Sequence, residues 1–123
     1  AVSENISKCR RAGFKIAIDD MGAGFSSFAD LYDNEIDLVK IDGEFIASCT
    51  SERRQTMLSN IITLVHESGA KILCEGVENL EQADFLDKIN CDMMQGFYFS
   101  KILPLVECEK FLKNENITEG KNF

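Results

Sequence analysis

The chain has 123 residues, 45% of them hydrophobic and nine of them Phe, which is the size of one domain and enough to bury a core. Against 21 acidic residues stand 13 basic ones, for a net charge of -8, and no basic run is present to neutralise a polyanionic backbone, so long nucleic acids are poor partners. The five cysteines are odd in number, widely spaced and free of C-x-x-C pairing, which reads as reduced thiols of a cytoplasmic protein, and no apolar run approaches the roughly 20 residues that cross a bilayer.

Ala1-Val2-Ser3-Glu4 opens in mid-helix without an initiator Met, the pattern expected of a segment from a longer parent, and this first helix is expected to end near Gly13. Residues 14–19 (FKIAID) form the first predicted strand, closed by Asp19 and Asp20. Adjacent aspartates at a strand end suit two divalent cations, because each hard cation takes several oxygen ligands; the plain alternative is a solvated turn. The loop that follows, Met21-Gly22-Ala23-Gly24-Phe25-Ser26-Ser27, lets backbone approach a ligand, although Gly-Ala-Gly alone is weak evidence for phosphate binding.

The second predicted strand, residues 36–41 (IDLVKI), is interrupted by Lys40. A lysine there either reaches a phosphate or a water at the mouth of a sheet, or forms an ion pair that merely closes the end, and the two readings stand level. Residues 52–68 carry Met57, Leu58, Ile61, Ile62, Leu64 and Val65 at helical spacing, with Gly69 as a stop. His66, the single histidine, lies late in that helix, where a cation is mildly favoured; it is read as structural, and one His excludes a His-rich metal site.

The third strand, residues 71–74 (KILC), runs into Glu75, which is either a metal ligand or base, or an ordinary surface residue at a strand-to-helix turn. Asn79 with Gln82 resembles a capping box opening the next helix. The fourth strand is expected over residues 93–99 (MMQGFYF) and contains Gln95, whose amide must find hydrogen bonds inside an apolar strand. Pro104 suits the first turn of the last helix, and the polar tail at 114–123 is expected to fray, leaving a domain over 1–113.

Short buried-type strands alternating with helices are the signature of β-α units on a parallel sheet. Four such units close either as an open doubly wound sheet or as half of a (β/α)₈ barrel, whose full length is about 250 residues, and spacing alone leaves both open. The polar residues that interrupt the strands fall at their carboxyl ends: Asp19 and Asp20, Lys40 and Asp42, Glu75, and Gln95 in the fourth. In a barrel those ends share the face on which active sites are built.

The segments IDDMGAGFSSF, DLVKID, ILCEGVE and CDMMQGFYFSK, in this order and spacing, closely resemble the second half of the EAL phosphodiesterase domain, over residues 6–112. The resemblance implies the C-terminal half of a (β/α)₈ TIM-like barrel and hydrolysis of cyclic di-GMP to linear pGpG with two Mg²⁺ or Mn²⁺ ions. It implies that Asp19 ligates both metals and Asp20 helps hold the second, that Lys40 contacts the nucleophilic water and phosphate, that Glu75 serves the second metal's hydration shell, and that Gln95 orients water. Departures within this half are conservative: Met21 for Phe, Ala23 for Thr, Phe25 and Phe97 for Tyr, Asn79 for Thr, and Ile102 for Pro. The Glu-Ala-Leu motif and the later Asn and Glu of the family are missing from the chain, so the isolated polypeptide is expected to have little activity. Two other classes compete. One is a non-catalytic cyclic di-GMP signalling module that pairs through its open half-barrel with a second copy or with a missing N-terminal half, without membrane contact from this segment. The other is a different metal-dependent barrel, such as an enolase-like lyase with Lys40 as base.

Overall fold

In the computed structural model residues 2–21 and 26–114 are described, the side chains of Ser26 and Ser27 apart. Residues 22–25 of the glycine-bearing loop and the tail at 115–123 lie outside them. Strands and helices alternate, except that a short α3 not expected from the sequence precedes α4 and the first strand is shorter than the expected 14–19: α1 (Val2–Arg11), β1 (Ala17–Ile18), α2 (Ser26–Asp33), β2 (Leu38–Ile41), α3 (Gly43–Ala47), α4 (Glu52–Glu67), β3 (Lys71–Cys74), α5 (Leu80–Lys88), β4 (Met93–Met94) and α6 (Leu105–Asn114). Among the described residues no helix is long and apolar enough to cross a membrane.

The four strands are parallel and stand in the order β1-β2-β3-β4. A doubly wound sheet reverses its strand order at a switch point, whereas a barrel adds each strand beside the last. The unreversed order therefore decides between the two closures: this is a four-strand portion of a (β/α)₈-type barrel. The side chains agree. Val39, Ile41, Ile72, Cys74 and Met94 share one buried core with Ile46 of α3, Leu58, Ile62 and Val65 of α4 and Leu86 of α5. Residues between them along the strands, Ala17, Leu38, Lys40, Leu73 and Met93, point to the opposite face and are half-buried or exposed. Met57 and Leu64 are also exposed, so the buried stripe of α4 is narrower than its apolar pattern.

Helix boundaries follow local chemistry. The Ser51 hydroxyl caps α4 by accepting the Arg54 N–H, and at its far end the Gly69 N–H donates to His66 and the Ala70 N–H to Val65, a Schellman closure that needs the φ of +91° found at Gly69. Gly13 closes α1 in the same way. At α5 the Asn79 side chain accepts the Gln82 N–H at 2.9 Å, while Gln82 Oε1 accepts the Glu78 N–H at 2.7 Å, so the capping box is present with its return bond one residue earlier. Pro104 stands just before α6 and its carbonyl accepts the Cys108 N–H. The last described element, α6, ends at Asn114.

At the amino ends of the strands one device occurs twice. Asp37 Oδ2 accepts the Ile16 N–H at 2.8 Å and pairs with the Arg10 guanidinium at 2.6 Å. Asp92 Oδ2 accepts the Ile72 N–H at 2.8 Å and meets His66 Nε2 at 2.6 Å. In each case an acid just before one strand captures an amide of the neighbouring strand and a cation-forming group on the helix that leads into that neighbour. The Ile16 N–H, and after it the Arg10 guanidinium and Lys15, hold the Asp37 carboxyl below its ordinary range against the opposing effect of burial. A depressed carboxyl pKa contributes stability above its unfolded value, near 3.9, and loses it as pH falls through the folded one. Asp37→Asn is therefore expected to lower the urea midpoint at pH 6, with the gap from the wild-type chain narrowing at pH 3; a gap independent of pH would contradict the charge pairing.

Candidate functional site at the carboxyl ends of the strands

The strand alternation that aims Ala17, Leu38 and Leu73 away from the helices also aims the residues two further on, so Asp19, Lys40 and Glu75 emerge on the same face at one end of the sheet. Their side chains meet there. Lys40 Nζ lies 2.8 Å from Glu75 Oε1 and 3.5 Å from Asp19 Oδ1, with Lys40 and Glu75 about three-quarters covered and Asp19 mostly open to solvent. The backbone beneath is continuous with the sheet: the Met21 N–H donates to the Lys40 carbonyl and the Glu75 N–H to the Ile41 carbonyl.

Asp20 sits beside the cluster in the left-handed region at φ 52°, and its N–H donates to Asp19 Oδ1 at 2.9 Å. Asp tolerates that conformation better than most residues, and here it turns the chain out of β1. Gln95 corrects one expectation. The fourth strand ends at Met94, so Gln95 lies past it, and its side chain is exposed rather than enclosed among apolar neighbours. Its backbone continues the ladder, N–H to Cys74 and C=O from Val77, and the register Cys74 to Met94 sets it beside Glu75. The apparent strand beyond it is a turn, in which Tyr98 and Phe99 donate to Val77 and Gly96. Glycine suits this turn: a Cβ at Gly96 would lie 2.1 Å from the Val77 carbonyl oxygen, so the chain packs too close there for a side chain. A cavity of about 370 Å³ opens beside this turn, lined by Leu73, Met93, Gln95 and Phe99.

The electrostatics of the cluster follow from its geometry. The hydrogen bond to Glu75, with the charges of Glu75 and Asp19, pushes the Lys40 ammonium above its ordinary pKa despite partial desolvation. Asp42, which also ends β2, caps α3 by accepting the Glu44 N–H. Carboxylate oxygens are the right donors for Mg²⁺ or Mn²⁺, and Asp19 presents an exposed one, yet among the described residues no three Asp, Glu, His or Cys side chains gather closely enough to hold an ion. The donor chemistry fits; the donor number needs ligands from elsewhere. Cys74 and Cys91 are buried; their mutual hydrogen bond together with burial pushes the Cys74 thiol up, while the same bond holds the Cys91 thiol below its ordinary range.

Sequence reasoning overlooked Asp37 and Asp92, which touch no site residue but fix the strands that carry them. The available signal was an Asp directly before each of two apolar runs, Asp37-Leu38-Val39 and Asp92-Met93-Met94.

Comparison with known proteins places these features. The EAL domain family model matches residues 1–102. Cyclic di-GMP phosphodiesterase NbdA of Pseudomonas aeruginosa is 35% identical over 109 residues, 88% of this chain but 14% of that protein. The EAL domain protein of Listeria monocytogenes EGD-e superposes with a TM-score of 0.82 at 38% identity, over 90% of this chain and 45% of that one. Klebsiella pneumoniae BlrP1, solved as a complex with manganese and cyclic di-GMP, gives a TM-score of 0.72 at 32% identity, over 80% of this chain and 25% of that one. The chain thus spans less than half the length of each of these proteins. Its unreversed parallel sheet, its acidic and basic strand ends and these matches lead to one assignment: the chain belongs to the EAL domain family.

Proposed function

We propose that this chain supplies part of the active site of a metal-dependent cyclic di-GMP phosphodiesterase that opens one phosphodiester to give linear pGpG. The observation that carries this reading is the convergence of Asp19, Lys40 and Glu75, from three strands, within 3.5 Å contacts at one sheet end. Asp19 and Asp20 would hold two Mg²⁺ or Mn²⁺ ions, whose chemistry when bound is to lower the pKa of water and neutralise charge on phosphoryl oxygens. Lys40 stays protonated and offers N–H donors to a phosphate oxygen or to the attacking water. Glu75 holds the ammonium in place by the 2.8 Å contact, and the exposed Gln95 amide beside it orients water. These parts stop short of a full donor set, so the isolated chain is expected to turn over little cyclic di-GMP.

The test is a graft. Replacing the matching residues of NbdA with this chain is expected to leave a folded protein that hydrolyses cyclic di-GMP with Mg²⁺ or Mn²⁺, whereas the 123-residue chain alone does not. A folded graft with no turnover, or brisk turnover by the chain alone, would sink the proposal.

A self-associating module is the second reading, and one observation favours it. The sheet face away from the helices is only partly covered among the described residues, with Ala17 exposed and Leu38, Leu73 and Met93 half-buried, and α1 and α6 contain no buried residue, with Phe14, Ile102 and Leu105 mostly exposed. Such a surface calls for a complementary half-barrel. Sedimentation of the chain is expected to show mass rising with concentration in the micromolar range; a monomer at every concentration would remove this reading.

A further inference from the structure

Three of the polar strand ends share a pattern: Asp42-Gly43, Glu75-Gly76 and Gln95-Gly96 each put a glycine directly after the polar residue. The first two of these glycines touch. A Cβ built on Gly43 would lie 2.9 Å from Gly76 Cα and 3.3 Å from the Glu75 carbonyl oxygen, and one built on Gly76 would lie 2.6 Å from Gly43 Cα. All of these neighbours are backbone atoms, which cannot swing aside as a side-chain tip can. Three successive contacts therefore bind residues 40–43 to residues 75–76: the Lys40 ammonium on the Glu75 carboxylate at 2.8 Å, the Ile41 carbonyl on the Glu75 N–H at 2.9 Å, and Gly43 against Gly76.

We propose that Gly43 and Gly76 are positioning residues, whose bare backbone contact sets the separation of the two loops and so holds Glu75 against Lys40. The inference rests on reading Lys40 and Glu75 as members of the site. A methyl group at position 43 would wedge against the Glu75–Gly76 peptide and push Glu75 away from Lys40 while leaving the hydrophobic core untouched. Sites held on rigid backbone keep sub-ångström geometry, and small misplacements are costly to rate, which is why such a contact matters for function.

The experiment is NMR on the isotope-labelled, metal-free 123-residue chain, reading the Lys40 ammonium signal and its through-hydrogen-bond coupling to the Glu75 carboxylate. Gly43→Ala is expected to keep its circular dichroism and cooperative unfolding and to lose the coupling. Gly69→Ala is the control: φ there is +91° with nothing within 4 Å of the added carbon, so it strains the backbone and destabilises the chain but keeps the coupling. A second arm does not depend on Gly43→Ala folding. Lys40→Met is expected to leave exchange protection of the Glu75 amide within about threefold, because the backbone contact and not the ion pair holds the loops. Coupling that survives in folded Gly43→Ala, or is lost equally in Gly69→Ala, overturns the proposal, as does loss of Glu75 amide protection in Lys40→Met. None of these readouts uses nucleotide or metal, so a failed hydrolysis assay would not imitate any of them.

Discussion

Asp92→Ala is expected to lower the unfolding free energy by about 2–3 kcal/mol, read as a drop in urea midpoint at unchanged slope. The Asp92 carboxylate accepts the Ile72 N–H, and Ile72 is fully buried, so truncation strands a donor that water cannot readily reach. It also removes the partner of His66, which lies 26 residues earlier. His66→Ala, by contrast, leaves the Ile72 N–H satisfied and is expected to cost about 1 kcal/mol or less, in keeping with the half-exposed pair. The difference between the two substitutions is the informative quantity, because a simple surface ion pair would make them equal. Asp37 provides an internal check, since it captures the Ile16 N–H from 21 residues away much as Asp92 captures the Ile72 N–H from 20. Asp37→Ala should therefore resemble Asp92→Ala. If Asp92→Ala costs under half a kcal/mol, the strand amide is not held by that carboxylate.

What the sequence discloses about this fold divides along a physical line. Contacts made within a few residues are legible: the stop at Gly69, the Asn79 and Gln82 cap, and the strand over Lys71–Cys74 all follow from local propensity and hydrogen bonding. The polar strand ends are legible for another reason, because Lys40 and Glu75 break apolar runs that burial would otherwise keep unbroken. Contacts across more than one element are not. At Gly96, Val77 on the neighbouring loop comes within 2.1 Å of where a Cβ would stand, and no local pattern in MMQGFYF announces that. Asp37 and Asp92 carry no signal of their role until the amide each one captures is seen on the neighbouring chain segment. The choice between barrel and doubly wound sheet belongs to the same class, since it depends on strand order and not on strand content.

In a protein that completes the barrel, such as the NbdA graft, Asp19→Asn and Lys40→Met are expected to fail in different ways. Asp19 is the most solvent-open carboxylate of the cluster, and an amide in its place removes both a charge and a good oxygen donor for a hard cation. Its loss is expected to reduce kcat/KM by about a thousandfold or more and to raise the Mn²⁺ concentration needed for half-maximal rate. Lys40 stands 3.5 Å from the same carboxylate and carries a charge that opposes a nearby dication. Removing it is expected to leave Mn²⁺ dependence unchanged or shifted to lower concentration, while kcat falls by about a hundredfold as donors to the developing phosphoryl charge are lost. Glu75→Gln separates the two, because it frees the Lys40 ammonium without deleting it, and a smaller loss of kcat is expected than for Lys40→Met. The comparison turns on Lys40 acting on the substrate and not as a counter-ion that holds Asp19 in place. If Lys40→Met needs more Mn²⁺ in proportion to its lost rate, the lysine serves the carboxylate, and its assigned contact with phosphate is wrong.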